Sequence, residues 1–188
     1  RKRMEMELAK AKECMKNGNK TAAQQHLKRK KMYEKNMNES IQFKFPEDFW
    51  WGSSASATQT EGAADLDGKG KNIWDHWFEI EANRFFDGVG PQNTSQFYYK
   101  YKEDIQLMKE IGHNSFRLSI SWSRLFPEGK GEMNEKAVQF YNNVIDALIA
   151  AEIEPFVNLY HFDMPMALQE TGGWNNRETV DAYEKYAE

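Results

Sequence analysis

At 188 residues, with 40% hydrophobic and 14% aromatic side chains, the chain can hold one ordinary domain, or a domain and an appendage, and wholesale disorder is excluded. Its single cysteine, Cys14, rules out an internal disulfide framework and suits a reducing compartment, and no apolar run reaches the ~18–20 residues that span a bilayer. The net charge of −4 hides a division: residues 1–38 carry 12 Lys/Arg against 4 Glu, and residues 39–188 carry 13 Lys/Arg against 25 Asp/Glu.

Charge asymmetry on that scale marks two units with different partners. The expected domains are a basic helical hairpin over 1–40 and an α/β domain over 41–188. In the hairpin, Met4, Leu8, Ala11 and Met15 recur at helical spacing as a narrow apolar stripe. Asn17-Gly18 supplies a left-handed stop, and Thr21 with Gln24 is the expected capping box of a second helix, Ala22 to about Met37. Its apolar face is thin, since Ala23 and Leu27 give way to Lys30, Lys31 and Glu34. Two such helices bury too little to be stable alone. Lys28-Arg29-Lys30-Lys31 is a dense cationic block that suits contact between residues 1–38 and an anionic membrane. Nucleic acid is not an expected partner, because no base-stacking aromatics interleave with these cations. The run from Asn19-Lys20-Thr21-Ala22-Ala23 through Lys28-Arg29-Lys30-Lys31 to Lys35 resembles the first hairpin of ESCRT-III subunits of the charged multivesicular body protein type, which implies assembly on acidic membranes. The chain opens on Arg1 rather than Met, which points to a truncated N-terminus, and no secretory signal is visible. A cytoplasmic location is therefore expected, with the Asn-x-Ser/Thr sites at Asn19, Asn38 and Asn93 unmodified.

Beyond residue 41 the pattern alternates strand and helix. Trp50–Gln59 reads as a small-residue strand and Ser95–Ile111 as an amphipathic helix with Tyr98, Tyr101, Ile105 and Met108 inward and Gly112 as its stop. Ser115–Ser121 reads as a strand, and Asn134 caps a helix to about Glu152 with Ala137, Tyr141, Val144 and Leu148 inward. Phe156–Tyr160 reads as a buried third strand. This rhythm predicts parallel strands with helices outside. No Gly-x-Gly-x-x-Gly turn follows any strand, which argues against a doubly wound sheet. In the middle strand Phe116, Leu118 and Ile120 alternate with Arg117, Ser119 and Ser121, so one face suits a helix layer and the other is polar, as a (β/α)8 barrel allows near its C-terminal rim. Arg117 on that face is expected to lack a route to solvent and to need a carboxylate opposite, unless it snorkels at a strand edge. The fold class is thus α/β, the N-terminal portion (about three β/α units) of a (β/α)8 TIM barrel, preceded by an α-helical hairpin.

The residues at the expected strand ends suit carbohydrate. The Gln59 amide donates and accepts toward adjacent hydroxyls, His161 leaves the third strand, and Phe162, Trp122 and Trp174 offer apolar faces for sugar C–H surfaces. Singly, each has a plainer reading: a loop amide, a satisfied core histidine, barrel packing. The four histidines show no metal-ligand spacing and no Cys-x-x-Cys occurs, so neither metal nor cofactor is expected.

The stretches Phe45-Pro46-Glu47-Asp48-Phe49-Trp50-Trp51-Gly52, Gln59-Thr60-Glu61-Gly62, Phe116-Arg117-Leu118-Ser119-Ile120-Ser121-Trp122-Ser123-Arg124, Tyr160-His161-Phe162-Asp163-Met164-Pro165 and Gly172-Gly173-Trp174 together resemble glycoside hydrolase family 1. Within it, His161-Phe162-Asp163-Met164-Pro165 and Thr94-Ser95-Gln96-Phe97-Tyr98 look most like bacterial 6-phospho-β-glucosidases. The resemblance implies a β-glucoside or 6-phospho-β-glucoside substrate bound at its glycone hydroxyls by Gln59 and His161. It also implies that Arg117 pairs with the nucleophile, with Trp122 and Phe162 supporting. It implies further that the two catalytic carboxylates lie in Asn-Glu-Pro and Glu-Asn-Gly motifs, neither of which occurs here. Ser40 and Lys136 follow the two Asn-Glu pairs. Retaining hydrolysis needs two carboxyls ~5–5.5 Å apart, so the chain alone is expected to be inactive. Glu61 and Asp163 are supporting positions rather than substitutes. The alternatives are an ESCRT-III-like membrane-associated interaction protein and an artefactual fusion.

Overall fold

Gly18, at φ +74 with open space where a side chain would stand, turns the chain between helices α1 (Lys2–Lys16) and α2 (Lys20–Ser40). The computed structural model describes residues 2–40 and 44–188. The chain divides into the units Arg1–Phe49 and Trp50–Glu188. The domain boundary expected at 40/41 abuts residues 41–43, which lie outside the described residues.

In the first unit the small side chains Ala11 and Ala23 are buried, and small residues let two helices approach closely. Glu7 Oε2 and His26 Nδ1 meet at 2.6 Å across the pair. The helical periodicity is as read, but the stripe is narrower than expected, since Met15 is exposed and Met4 and Leu8 are half-buried. The expected capping box of Thr21 and Gln24 is not the cap. Asn19 Oδ1 accepts from the Ala22 N–H at 3.1 Å, and the helix starts at Lys20. Asn19 directly precedes the first helical residue, where the left-handed turn at Gly18 releases the chain, and Thr21 already lies inside the helix.

The second unit is a three-stranded parallel sheet in the order β1 (Gly52–Ser54), β2 (Ser115–Ser119), β3 (Glu154–Asn158). Gly52 pairs with Ser115, and a Cβ at Gly52 would stand 2.2 Å from the Ser115 carbonyl oxygen, so only glycine fits there. The strand expected over 50–59 is shorter than that. The Ala57 N–H donates to the Ser119 hydroxyl at 2.7 Å instead of a ladder carbonyl, and Ser56 O accepts from Gln59 and Thr60, closing the helical turn α3 (Ala57–Thr60).

Two further short elements precede the first long crossover helix: α4 (Ile73–Glu81) and 3₁₀ turns at 82–84 and 86–88. Helix α5 (Phe97–Glu110) then connects β1 to β2. The short α6 (Trp122–Leu125) follows β2, and α7 (Glu135–Ala150) connects β2 to β3. Asn134 caps α7 as expected, accepting from the Lys136 N–H at 3.2 Å. Phe116 and Leu118 pack with Ile105 of α5 and with Phe140, Tyr141, Val144 and Leu148 of α7, forming one apolar layer between sheet and helices. A second cluster joins Trp122 to Met164, to Leu168 of α8 (Met166–Glu170), and to Ala182 and Tyr186 of α9 (Arg177–Ala187). This is the N-terminal part of a (β/α)8 barrel. The third strand is not buried as expected: Phe156 and Val157 are 44% and 42% exposed. Among the described residues β3 pairs with β2 alone, so one edge and much of its surface remain open.

Candidate active site

Three of the sugar-competent residues meet at one cavity. Gln59 rides on α3, held by the Ser56 hydroxyl donating to its Oε1, and His161 and Phe162 stand on the turn after β3. All three line a cavity of about 380 Å³ together with Thr58, Trp74 and Phe85. Phe162 is 67% exposed, and Trp74 Nε1 donates to its carbonyl at 2.7 Å. An amide and an imidazole can donate and accept toward vicinal hydroxyls, and aromatic rings present flat apolar faces of the kind that sugar C–H groups stack on.

Arg117 and Trp122 are elsewhere. Arg117 does not line the cavity; it is exposed, and Nη1 donates to the Ser54 hydroxyl at 3.2 Å. The expectation that it has no route to solvent is corrected: Ser115, Ser119 and Ser121 on the same face are buried, but the Arg117 side chain itself reaches solvent, which can solvate a guanidinium without a carboxylate opposite. Trp122 is fully buried, stacked on Tyr186 at 5.2 Å, with Nε1 donating to the Gly129 carbonyl at 3.0 Å. It offers no face to a sugar, so its supporting part is packing. Trp174 remains 45% exposed and donates from Nε1 to the Tyr160 hydroxyl at 3.2 Å.

Glu61 and Asp163 do not line this cavity. Glu61 is buried with both oxygens engaged: Oε2 accepts from Arg124 Nε at 2.9 Å and Oε1 from the Tyr141 hydroxyl at 2.7 Å. Burial, with the Glu61 charge beside it, pushes the Tyr141 phenol well above its ordinary value, so it stays a donor. Asp163 is 1% exposed, its Oδ1 accepts from the His161 N–H at 3.2 Å, and burial raises its carboxyl from 3.8 to about 6. None of the residues lining the cavity is acidic. Among the described residues no cluster of three or more His, Cys, Asp or Glu could hold a metal ion, and no helix is long and apolar enough to cross a membrane.

Trp74 and Phe85 were not among the residues expected at the site. The signal for Trp74 is Asn72 followed by Asp75: each side chain caps the other's backbone and opens α4, which swings Trp74 over the turn after β3. No signal in the sequence marks Phe85, which comes to the cavity through the 3₁₀ turns after α4.

The sequence profile of Glycosyl hydrolase family 1 matches residues 41–188. Over 151 residues the chain is 76% identical to 6-phospho-beta-glucosidase GmuD of Bacillus subtilis (strain 168), covering 80% of this chain and 32% of that protein. It is 46% identical over 144 residues to Beta-glucosidase A of Acetivibrio thermocellus, covering 77% and 32%. Among solved structures, aphid myrosinase superposes with a TM-score of 0.74 at 40% identity, covering 77% of this chain and 32% of that one. The chain thus spans about a third of the length of these relatives. With the profile matching residues 41–188 and relatives of this identity, the chain belongs to glycosyl hydrolase family 1.

Proposed function

We propose that residues 41–188 hold the glycone of a β-glucoside, a 6-phospho-β-glucoside in particular, as part of a retaining β-glycosidase, and that this chain alone does not hydrolyse it. The observation that carries the reading is the convergence of Gln59, His161 and Phe162 on one cavity with aromatic walls. The phosphorylated glycone is supported by the 76% identity to 6-phospho-beta-glucosidase GmuD. The absence of hydrolysis follows from a cavity without acidic lining and a sequence with neither Asn-Glu-Pro nor Glu-Asn-Gly. The setting is the cytoplasm, where sugar phosphates are kept. Binding of methyl β-D-glucoside 6-phosphate, followed by NMR titration, tests it. Chemical-shift changes confined to the cavity residues, and lost in Gln59→Ala, are expected; unchanged spectra at millimolar ligand would sink the reading.

For residues 1–40 we propose a separate unit that contacts anionic membrane. What supports it is the Lys28–Lys31 block on a hairpin that leaves Met6, Met15, Leu27 and Met32 exposed. Sedimentation with phosphatidylserine vesicles should be lost when residues 1–40 are deleted, and should fall steeply with salt.

A further inference from the structure

We propose that Asp163 is a positioning residue: its buried carboxyl holds the His161 backbone and thereby sets where the imidazole stands in the cavity, a role that rests on the carbohydrate reading above. The turn after β3 is pinned at three points within four residues. Asp163 Oδ1 accepts from the His161 N–H at 3.2 Å, Trp74 Nε1 donates to the Phe162 carbonyl at 2.7 Å, and the Ile73 N–H donates to the Met164 carbonyl at 3.0 Å. Between these pins Phe162 adopts φ +59, a left-handed conformation that a bulky side chain keeps only where its surroundings hold it. Two of the pins come from α4 and act on Phe162 and Met164. Of the three pins, the Asp163 carboxyl is the one that acts on His161.

Of the hydrogen bonds that favour the charged form of that carboxyl, the one from the His161 N–H is the largest, ahead of its own backbone N–H and the Ser121 hydroxyl. Asp163 is 1% exposed, its Oδ2 makes no hydrogen bond, and among the described residues it has no ion-pair partner. The groups that face it are Glu61 at the end of α3, the Ser121 hydroxyl after β2, Tyr160, the His161 backbone and its own backbone N–H on the same turn, and Tyr186 of α9. None is a fixed cation, so the His161 N–H is the donor that gains most when the carboxyl ionises, because a charged acceptor binds an N–H more strongly than a neutral one. Burial brings that ionisation to about 6. The hold on His161 therefore tightens as pH rises through that value.

The test is the backbone amide of residue 161 in the ¹⁵N NMR spectrum of the full chain between pH 5 and 8. A shift step with its midpoint near 6 is expected, and it should persist in His161→Gln, where no imidazole titrates. It should vanish in Asp163→Asn, which keeps an acceptor oxygen. Absence of the step in His161→Gln, a measurement that alters nothing at Asp163, overturns the proposal, as does a step that survives Asp163→Asn. Titration with methyl β-D-glucoside 6-phosphate separates the two readings. If the unsubstituted chain does not bind it, the carbohydrate reading fails and the amide step still decides the positioning. If it binds, Asp163→Ala should weaken binding about tenfold while Asp163→Asn restores most of it. Equal loss in both variants also overturns the proposal.

Discussion

Arg124 is the side chain on which the buried framework turns. Its Nε donates to Glu61, its Nη2 donates to the carbonyls of Gly62 and Ala63 at 3.2 Å each, and its guanidinium lies 4.6 Å from the centre of the Tyr98 ring. Removing one partner of such a pair leaves a buried charge uncompensated. Arg124→Ala or Glu61→Ala should each lower stability by about 3–5 kcal/mol, read as a fall in the urea midpoint. The two losses should not add, because either variant breaks the same pair. Asp163 makes the opposite contribution. Its folded value, about 6, lies above its ordinary 3.8, so the native state keeps a proton that the unfolded chain has already lost. The stability this confers is complete below 3.8 and is lost as pH rises through about 6, roughly 3 kcal/mol over that window. Thermal unfolding should show that decline in the unsubstituted chain and a flatter profile in Asp163→Asn.

At the scale of elements, the pairing of β1 with β2 depends on one missing side chain. Gly52→Ala would drive a Cβ to 2.2 Å from the Ser115 carbonyl oxygen and 2.4 Å from its hydroxyl; the hydroxyl can rotate away, but the backbone carbonyl cannot. A loss of at least about 2 kcal/mol is expected, with faster hydrogen exchange at the Ala55 amide, which donates to Arg117 O. A protected Ala55 amide in the variant would show that the strands have slid to make room. Helices α5 and α7 and strand β2 were legible because each shows a single period: Ile105 with Tyr98 and Tyr101, Val144 with Ala137 and Leu148, Phe116 with Leu118. Segment 50–59 was not, since small polar residues suit a strand and a turn alike. What ends β1 is the Ser119 hydroxyl, a group 62 positions from the amide that it meets.

For the whole molecule, three parallel strands leave two outer edges without partners among the described residues. Beside the β3 edge, Trp50 meets Phe156 edge-on at 5.3 Å, and both are about half exposed, as are Trp51 and Val157. An apolar strand edge of this kind templates association. The purified chain should therefore run larger than a monomer by light scattering, and Phe156→Lys should shift it toward one. A sharp monomer with coincident near- and far-UV unfolding would contradict that expectation. The same molecule should show no turnover of 4-nitrophenyl β-glucoside 6-phosphate above the uncatalysed rate, because the mechanism needs two carboxyls on one cavity and none lines this one. Turnover that follows the purified chain would overturn the assignment of Glu61 and Asp163 to the framework.

The sequence by itself determined the family, the strand–helix order and the parallel sheet, and it put forward Gln59, His161 and Phe162 as candidates, because these are matters of period and of motif, which are written in neighbouring residues. Tertiary structure alone decided which of the named residues share a cavity. Trp122 and Phe162 look equally fit to stack on a sugar, yet Trp122 is sealed by α8 and α9 while Phe162 is held outward by the turn after β3. Arg117 and Arg124 are two cations seven positions apart; one is exposed and donates to the Ser54 hydroxyl, and the other is buried beside Glu61. Burial is a property of what packs opposite, and no local pattern in the chain records it.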